Sequence, residues 1–224
     1  MNSNKVYHGG KMAIITISRQ FGAGGWTLGE KLRNRLGYAC INEDMIKEAA
    51  SKLNVSEDQI SSFEKDGASK LMMFIDKMIN TSFIDRHISD RYGYVNEKSY
   101  VDVVRQIIIE LYEKGNTIII GRGSQFVLKD YPGTFHFLLV QELESRIKFM
   151  MEKYDLSRSE AEKTIKQRDQ IRERFLGFFA DKEYADNPLN YNMVFNMGRL
   201  KLEAVEEIIV NLVEQSKPLL TPKG

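Results

Sequence analysis

Cysteine is nearly missing from this chain. One residue in 224, Cys40, leaves no disulfide framework. Proline is scarce at 4 residues and glycine ordinary at 16, and together with 42% apolar residues this excludes collagen-like and disordered classes. No stretch reaches the roughly 20 consecutive apolar residues that a spanning helix needs, so no membrane partner is expected. The first twelve residues, MNSNKVYHGGKM, lack the apolar centre of a secretion signal, which predicts a cytoplasmic protein. Excess charge of one sign is also missing: Lys+Arg 32 against Asp+Glu 31 gives +1. A strongly basic face for duplex nucleic acid is therefore not expected, and any anion site must come from local arrangement. His8, His87 and His136 have no metal-ligand spacing, and no Ser-His-Asp set or carboxylate pair stands out.

What is present reads as one domain over 13–224 behind a loose tail at 1–12. Short β-branched runs predict strands at 13–18, 38–41, 117–120, 134–140 and 193–196. Leu28, Leu32 and Leu36 recur at i, i+4 and i+8, which predicts an amphipathic helix ended by Gly37. Asn42 is a fitting N-cap for a helix from Glu43 to about Leu53. Further helices are predicted from a capping box at Ser56–Gln59, over Ala68–Asn80, Val101–Lys114 and Ser124–Lys129, and over Glu142–Lys153. A second capping box at Ser157–Glu160 opens a long helix to about Phe179, and the last helix is expected over Leu200–Glu214. Short buried strands alternating with helices mean an α/β fold, a five-stranded parallel sheet flanked by helices. Ligands of such sheets lie beyond the carboxyl ends of the strands.

The turn after the first strand reads Ser18-Arg19-Gln20-Phe21-Gly22-Ala23-Gly24-Gly25-Trp26-Thr27. Three glycines in four residues let backbone amides converge, and the following helix directs its positive end to the same point. Gly22, Ala23, Gly24, Gly25, Trp26 and Thr27 are the candidate phosphate cradle. The pattern G-x-x-x-x-G-K-[ST] is not met, because Gly25 stands at the lysine and Trp26 at the hydroxyl position. A tight connection without ligand, or a dinucleotide site built on Gly22-x-Gly24-x-x-Thr27 with Asp44 downstream, remains open at this point.

Residues 15–29, Ile-Thr-Ile-Ser-Arg-Gln-Phe-Gly-Ala-Gly-Gly-Trp-Thr-Leu-Gly, resemble the opening of the cytidylate kinase-like family, a divergent branch of the nucleoside monophosphate kinases. Gly121-Arg122-Gly123, Arg168-Asp169-Gln170-Ile171-Arg172 and Tyr191–Asn196 resemble further segments of that family. The resemblance implies a P-loop fold with a helical acceptor-binding insert, here about 44–116, and a lid, about 153–180. It also implies transfer of the ATP γ-phosphoryl group to a monophosphate such as CMP with Mg²⁺. The partners are then small-molecule nucleotides, with a homodimer left open.

Phosphoryl transfer rests on positioning and charge neutralisation, so cations must replace the missing lysine. Arg19 starts the turn, and Arg168 and Arg172 share one helix face at i, i+4. Guanidinium forks suit phosphate oxygens, and these three are the candidate catalytic residues. Thr27 is the candidate hydroxyl for Mg²⁺, and Asp44, Arg122 and Asp169 are the candidate acceptor-binding residues. Arginines interleaved with Asp169 and Glu173 would equally make a solvated, salt-bridged face. Two other readings stay open: a nucleotide-binding module without catalysis, and a kinase of a different small metabolite.

Overall fold

Strands form where apolar and β-branched residues run without a helical period. The computed structural model describes residues 13–52, 97–181 and 185–220. Among them are strands β1 (Ile14–Arg19), β2 (Ala39–Ile41), β3 (Thr117–Ile120), β4 (Thr134–Val140) and β5 (Met193–Asn196). All pair in parallel, in the order β2-β3-β1-β4-β5. The chain thus winds to one side of β1 through β2 and β3, then to the other through β4 and β5. Such a reversal opens a crevice at the carboxyl ends of the central strands.

Helices cover both faces, as a parallel sheet requires. They are α1 (Gly25–Leu36), α2 (Glu43–Lys52), α3 (Glu97–Lys114), α4 (Ser124–Val127), α5 (Leu143–Tyr154), α6 (Arg158–Leu176) and α7 (Leu202–Leu220). Leu28 and Leu32 of α1 are fully buried with Ile15, Ile17, Phe137 and Val205 on one sheet face. Ile14, Ile119, Ile107 and Leu111 form the core of the other face, against α2 and α3. Each such aliphatic side chain contributes about 1.5–3 kcal/mol by leaving water. Along β1 the second face becomes polar toward its carboxyl end, passing from Ile14 to Thr16 and Ser18. That polar end faces the crevice.

The caps predicted at Asn42 and at Ser157 are present. The Met45 amide donates to Asn42 Oδ1 at 2.9 Å, and Ser157 and Glu160 close a reciprocal capping box. Several helix ends differ from expectation: α3 begins at Glu97 and not at Val101, and α4 stops at Val127 and not at Lys129. Helix α6 stops at Leu176 and not near Phe179, because the amides of Phe178 and Phe179 turn back to the carbonyls of Phe175 and Leu176. Helix α7 runs on to Leu220, past the expected end at Glu214. The expected capping box at Ser56–Gln59, the helix at Ala68–Asn80, the tail and most of the 44–116 insert lie outside the described residues.

Candidate active site

The turn after β1 carries the first half of the site. Gly22 and Gly24 adopt φ of 85° and 82°, values open to glycine at little cost. Gly24 is the N-cap of α1, and no side chain caps that helix. The first amides of a helix have no partner within it, so the head of α1 presents donors and the positive end of its dipole. Trp26 is 42% exposed, and Thr27 is half-buried with no hydrogen-bond partner among the described residues.

A cavity of about 80 Å³ lies next to this turn, at the carboxyl ends of β1 and β3 and beneath α6. It has room for an oxyanion with a few waters. Four guanidinium side chains line it: Arg19 from β1, Arg122 from the turn after β3, and Arg168 and Arg172 from α6. The face predicted from the i, i+4 spacing is therefore the one turned to the crevice. Asp44 also reaches the wall, whereas residues 22–27 contribute none of it.

The four arginines are not equivalent. Arg19 pairs with Glu43 at 2.9 Å. Arg172 Nη2 donates to Ser18 Oγ at 3.0 Å, and the same guanidinium forks onto the Asp186 carboxylate. Arg122 instead lies 4.8 Å over the Phe175 ring and 6.0 Å over Tyr100, with its buried Nε unpartnered. Arg168 lies 5.8 Å over the Phe21 ring. Neither of these two pairs with a carboxylate among the described residues, so rings hold the cations in place while leaving donors open. Burial pushes the Glu43 carboxyl upward, but the adjacent Arg19, with Arg122 and Arg168 beyond it, outweighs burial and holds it at about 2.

Asp169 has a different setting from its helix neighbours. Its Oδ1 accepts the Phe21 amide at 3.0 Å and its Oδ2 accepts Arg146 Nη1 at 2.6 Å. Arg146 Nη1 also donates to the Phe21 carbonyl at 3.2 Å. Asp169 thus ties α6 and α5 to the backbone of the first turn. Sequence reasoning missed Glu43, Arg146 and Asp186. The available signal for Arg146 was a cation on the apolar stripe of α5, one turn from Met150. Among the described residues no group of three or more His, Cys, Asp or Glu side chains could hold a metal ion. Nor is any described helix long and apolar enough to cross a membrane.

This architecture recurs in a solved structure. An uncharacterized protein from Eubacterium ventriosum is similar in structure, with a TM-score of 0.65 at 16% identity, covering 91% of this chain and 99% of its own. A shikimate kinase from Acinetobacter baumannii, solved with shikimate, is a more distant likeness at TM-score 0.48 and 14% identity, over 92% and 95% of the two chains. A curated relative, the uronate isomerase of Corynebacterium glutamicum, is 28% identical over 135 residues, 58% of this chain. The match spans a quarter of that protein's length. The model of the cytidylate kinase-like family matches residues 14–199, from the first residue of β1 to just beyond β5. That span takes in both glycine-containing turns and the arginine face of α6, and the chain belongs to the cytidylate kinase-like family.

Proposed function

We propose that this protein transfers the γ-phosphoryl group of ATP to a small phosphorylated acceptor, a nucleoside monophosphate such as CMP. The observation that carries this reading is the contrast within the cavity. Arg19 and Arg172 are held in place by carboxylates, while Arg122 and Arg168 pair with none among the described residues and keep open donors, beside an uncapped helix head. Membership of a kinase-like family supports phosphoryl transfer in general, and the acceptor is our own step beyond it.

In this reading the amides of Gly22 and of Gly24 to Thr27 hold the donor phosphates, the Ala23 amide being taken by the Gln20 carbonyl at 3.1 Å, and Arg122 with Arg168 hold the acceptor phosphate. Arg172, fixed by Ser18 and Asp186, presents a preorganised positive charge between them. Helix α6 excludes water as the wall of the crevice. Mg²⁺ brought in with ATP neutralises charge on the phosphate oxygens and asks for few protein ligands. The free Thr27 hydroxyl suits that role.

The test is turnover of ATP with Mg²⁺ against CMP, dCMP, UMP and a panel of phosphorylated sugars. Transfer to a pyrimidine monophosphate is the expected result. Transfer only to another metabolite would discard the nucleotide acceptor. Gly25 in the lysine position motivates a second reading, nucleotide binding without catalysis. Calorimetric binding of ATP with no transfer across the panel would favour it.

A further inference from the structure

We infer that Arg19 supplies the phosphate-contacting cation that the first turn lacks, in a groove left open by Gly25 and Gly121 and oriented by Glu43. Glycine at position 25 is then a requirement of this site and not a deficit. The inference rests on the kinase reading and assigns a part to residues that reading does not explain.

Position 25 is where a P-loop has its lysine. A Cβ there would lie 3.0 Å from Arg19 Cγ, 3.2 Å from Cδ and 3.4 Å from Cβ. The stem of Arg19 thus fills the volume through which a side chain at 25 would leave the helix. Farther along, Nη1 of Arg19 lies where a Cβ of Gly121 would stand, and the Glu43 carboxylate closes the far end at 2.9 Å from Nη2. Two glycines on separate turns therefore leave room for one side chain. Its stem touches the donor turn and its head lines the acceptor cavity, so Arg19 spans the gap the transferred group must cross. With 16% of its side chain exposed, it is held and not waving in solvent. Glu43 is a positioning residue in this account, since it acts through Arg19. The rival account is a purely structural ion pair, which would be indifferent to nucleotide.

The variants Arg19→Ala, Gly25→Lys, their double and Glu43→Gln distinguish these. Each is read by melting temperature, by calorimetric affinity for ATP with Mg²⁺, and by kcat. Arg19→Ala is expected to weaken ATP binding about tenfold and lower kcat about a hundredfold, as loss of a preorganised donor does. Gly25→Lys alone is expected to impair, because the new stem meets Arg19. The double variant is expected to recover at least about tenfold in kcat over Arg19→Ala, which is non-additivity of opposite sign. Glu43→Gln is expected to lower kcat in the parent and to have no further effect in the Arg19→Ala background. A purely structural pair would instead lower melting temperature in every variant and leave kcat of the folded protein unmoved. ATP binding and turnover of Arg19→Ala within twofold of the parent would overturn the inference, and so would a double variant no better than Arg19→Ala. If the parent binds ATP but transfers to no acceptor, the kinase reading fails while the affinity comparison still decides the place of Arg19.

Discussion

Asp169 and Arg146 meet at 2.6 Å, and through this pair the arginine face of α6 is fastened to the turn that opens α1. Arg146 is 7% exposed, so its charge depends on that carboxylate. Removing one partner of a fully buried pair costs about 3–5 kcal/mol. The Asp169 side chain is 35% exposed, which lets water replace part of the loss. Asp169→Asn is therefore expected to destabilise by about 1–3 kcal/mol, read as a lower urea midpoint with an unchanged slope. It should also lower turnover, since α6 loses its tie to the Phe21 amide. An unchanged midpoint would show that the fastening contributes nothing.

The frame of this molecule was legible in its sequence for a simple reason. Strands β3, β4 and β5 begin and end at the predicted residues because short continuous apolar, β-branched or aromatic runs bounded by glycines or polar turns mark both ends. The i, i+4 relation of Arg168 and Arg172 also survives, because helix geometry alone puts both on one face, and tertiary packing turns that face to the crevice. Partner choice was not legible. Glu43 and Asp44 stand side by side at a helix start, where either suits the dipole, and only the tertiary approach of Arg19 distinguishes Glu43. Asp169 lies between two cavity arginines in sequence, yet its helix angle turns it to the first turn. Such contacts, 148 residues apart in the chain, leave no local pattern.

Arg172 reaches both Ser18 at the end of β1 and Asp186 beyond α6, so it is locked before any ligand arrives. A preorganised charge of this kind favours the transition state over the ground state. Arg172→Ala is expected to lower kcat by two or more powers of ten, in the range of about 10³–10⁵ if it acts as arginine fingers do. The affinity for ATP should change by about threefold or less. Calorimetry and single-turnover kinetics on the same preparation check the split. Equal losses in both would assign Arg172 to uniform nucleotide binding.

Gly121, Arg122 and Gly123 all adopt positive φ, at 81°, 56° and 66°. A Cβ on Gly123 would come within 2.8 Å of the Phe179 ring, in the turn that ends α6. Gly123→Ala therefore combines left-handed backbone strain of about 1–2 kcal/mol with displacement of that ring. The expected result is a loss of about 2–3 kcal/mol in chemical denaturation. Phe179→Leu in the same background should recover part of it. No recovery would mean that the backbone conformation alone carries the cost.

His136 sits on β4 opposite Thr16 of β1, with Nδ1 2.7 Å from the threonine hydroxyl and only 8% of the residue exposed. Burial disfavours the imidazolium and lowers its pKa from 6.5 to about 4, only partly offset by the Leu128 backbone. Between these values the unfolded chain binds a proton that the folded chain refuses, so this group subtracts stability as pH falls from 6.5 toward 4. The full effect is on the order of 3 kcal/mol, reached only near the folded pKa. Glu43 adds to acid sensitivity lower down, because its depressed carboxyl loses its stabilising charge between its ordinary value of 4.5 and about 2. Urea midpoints measured at pH 7.5, 6, 5 and 4.5 should therefore decline in that order. The decline should be shallower in His136→Gln, which cannot be protonated in this range. A parent and a variant that fall in parallel would show that His136 does not govern the acid limb.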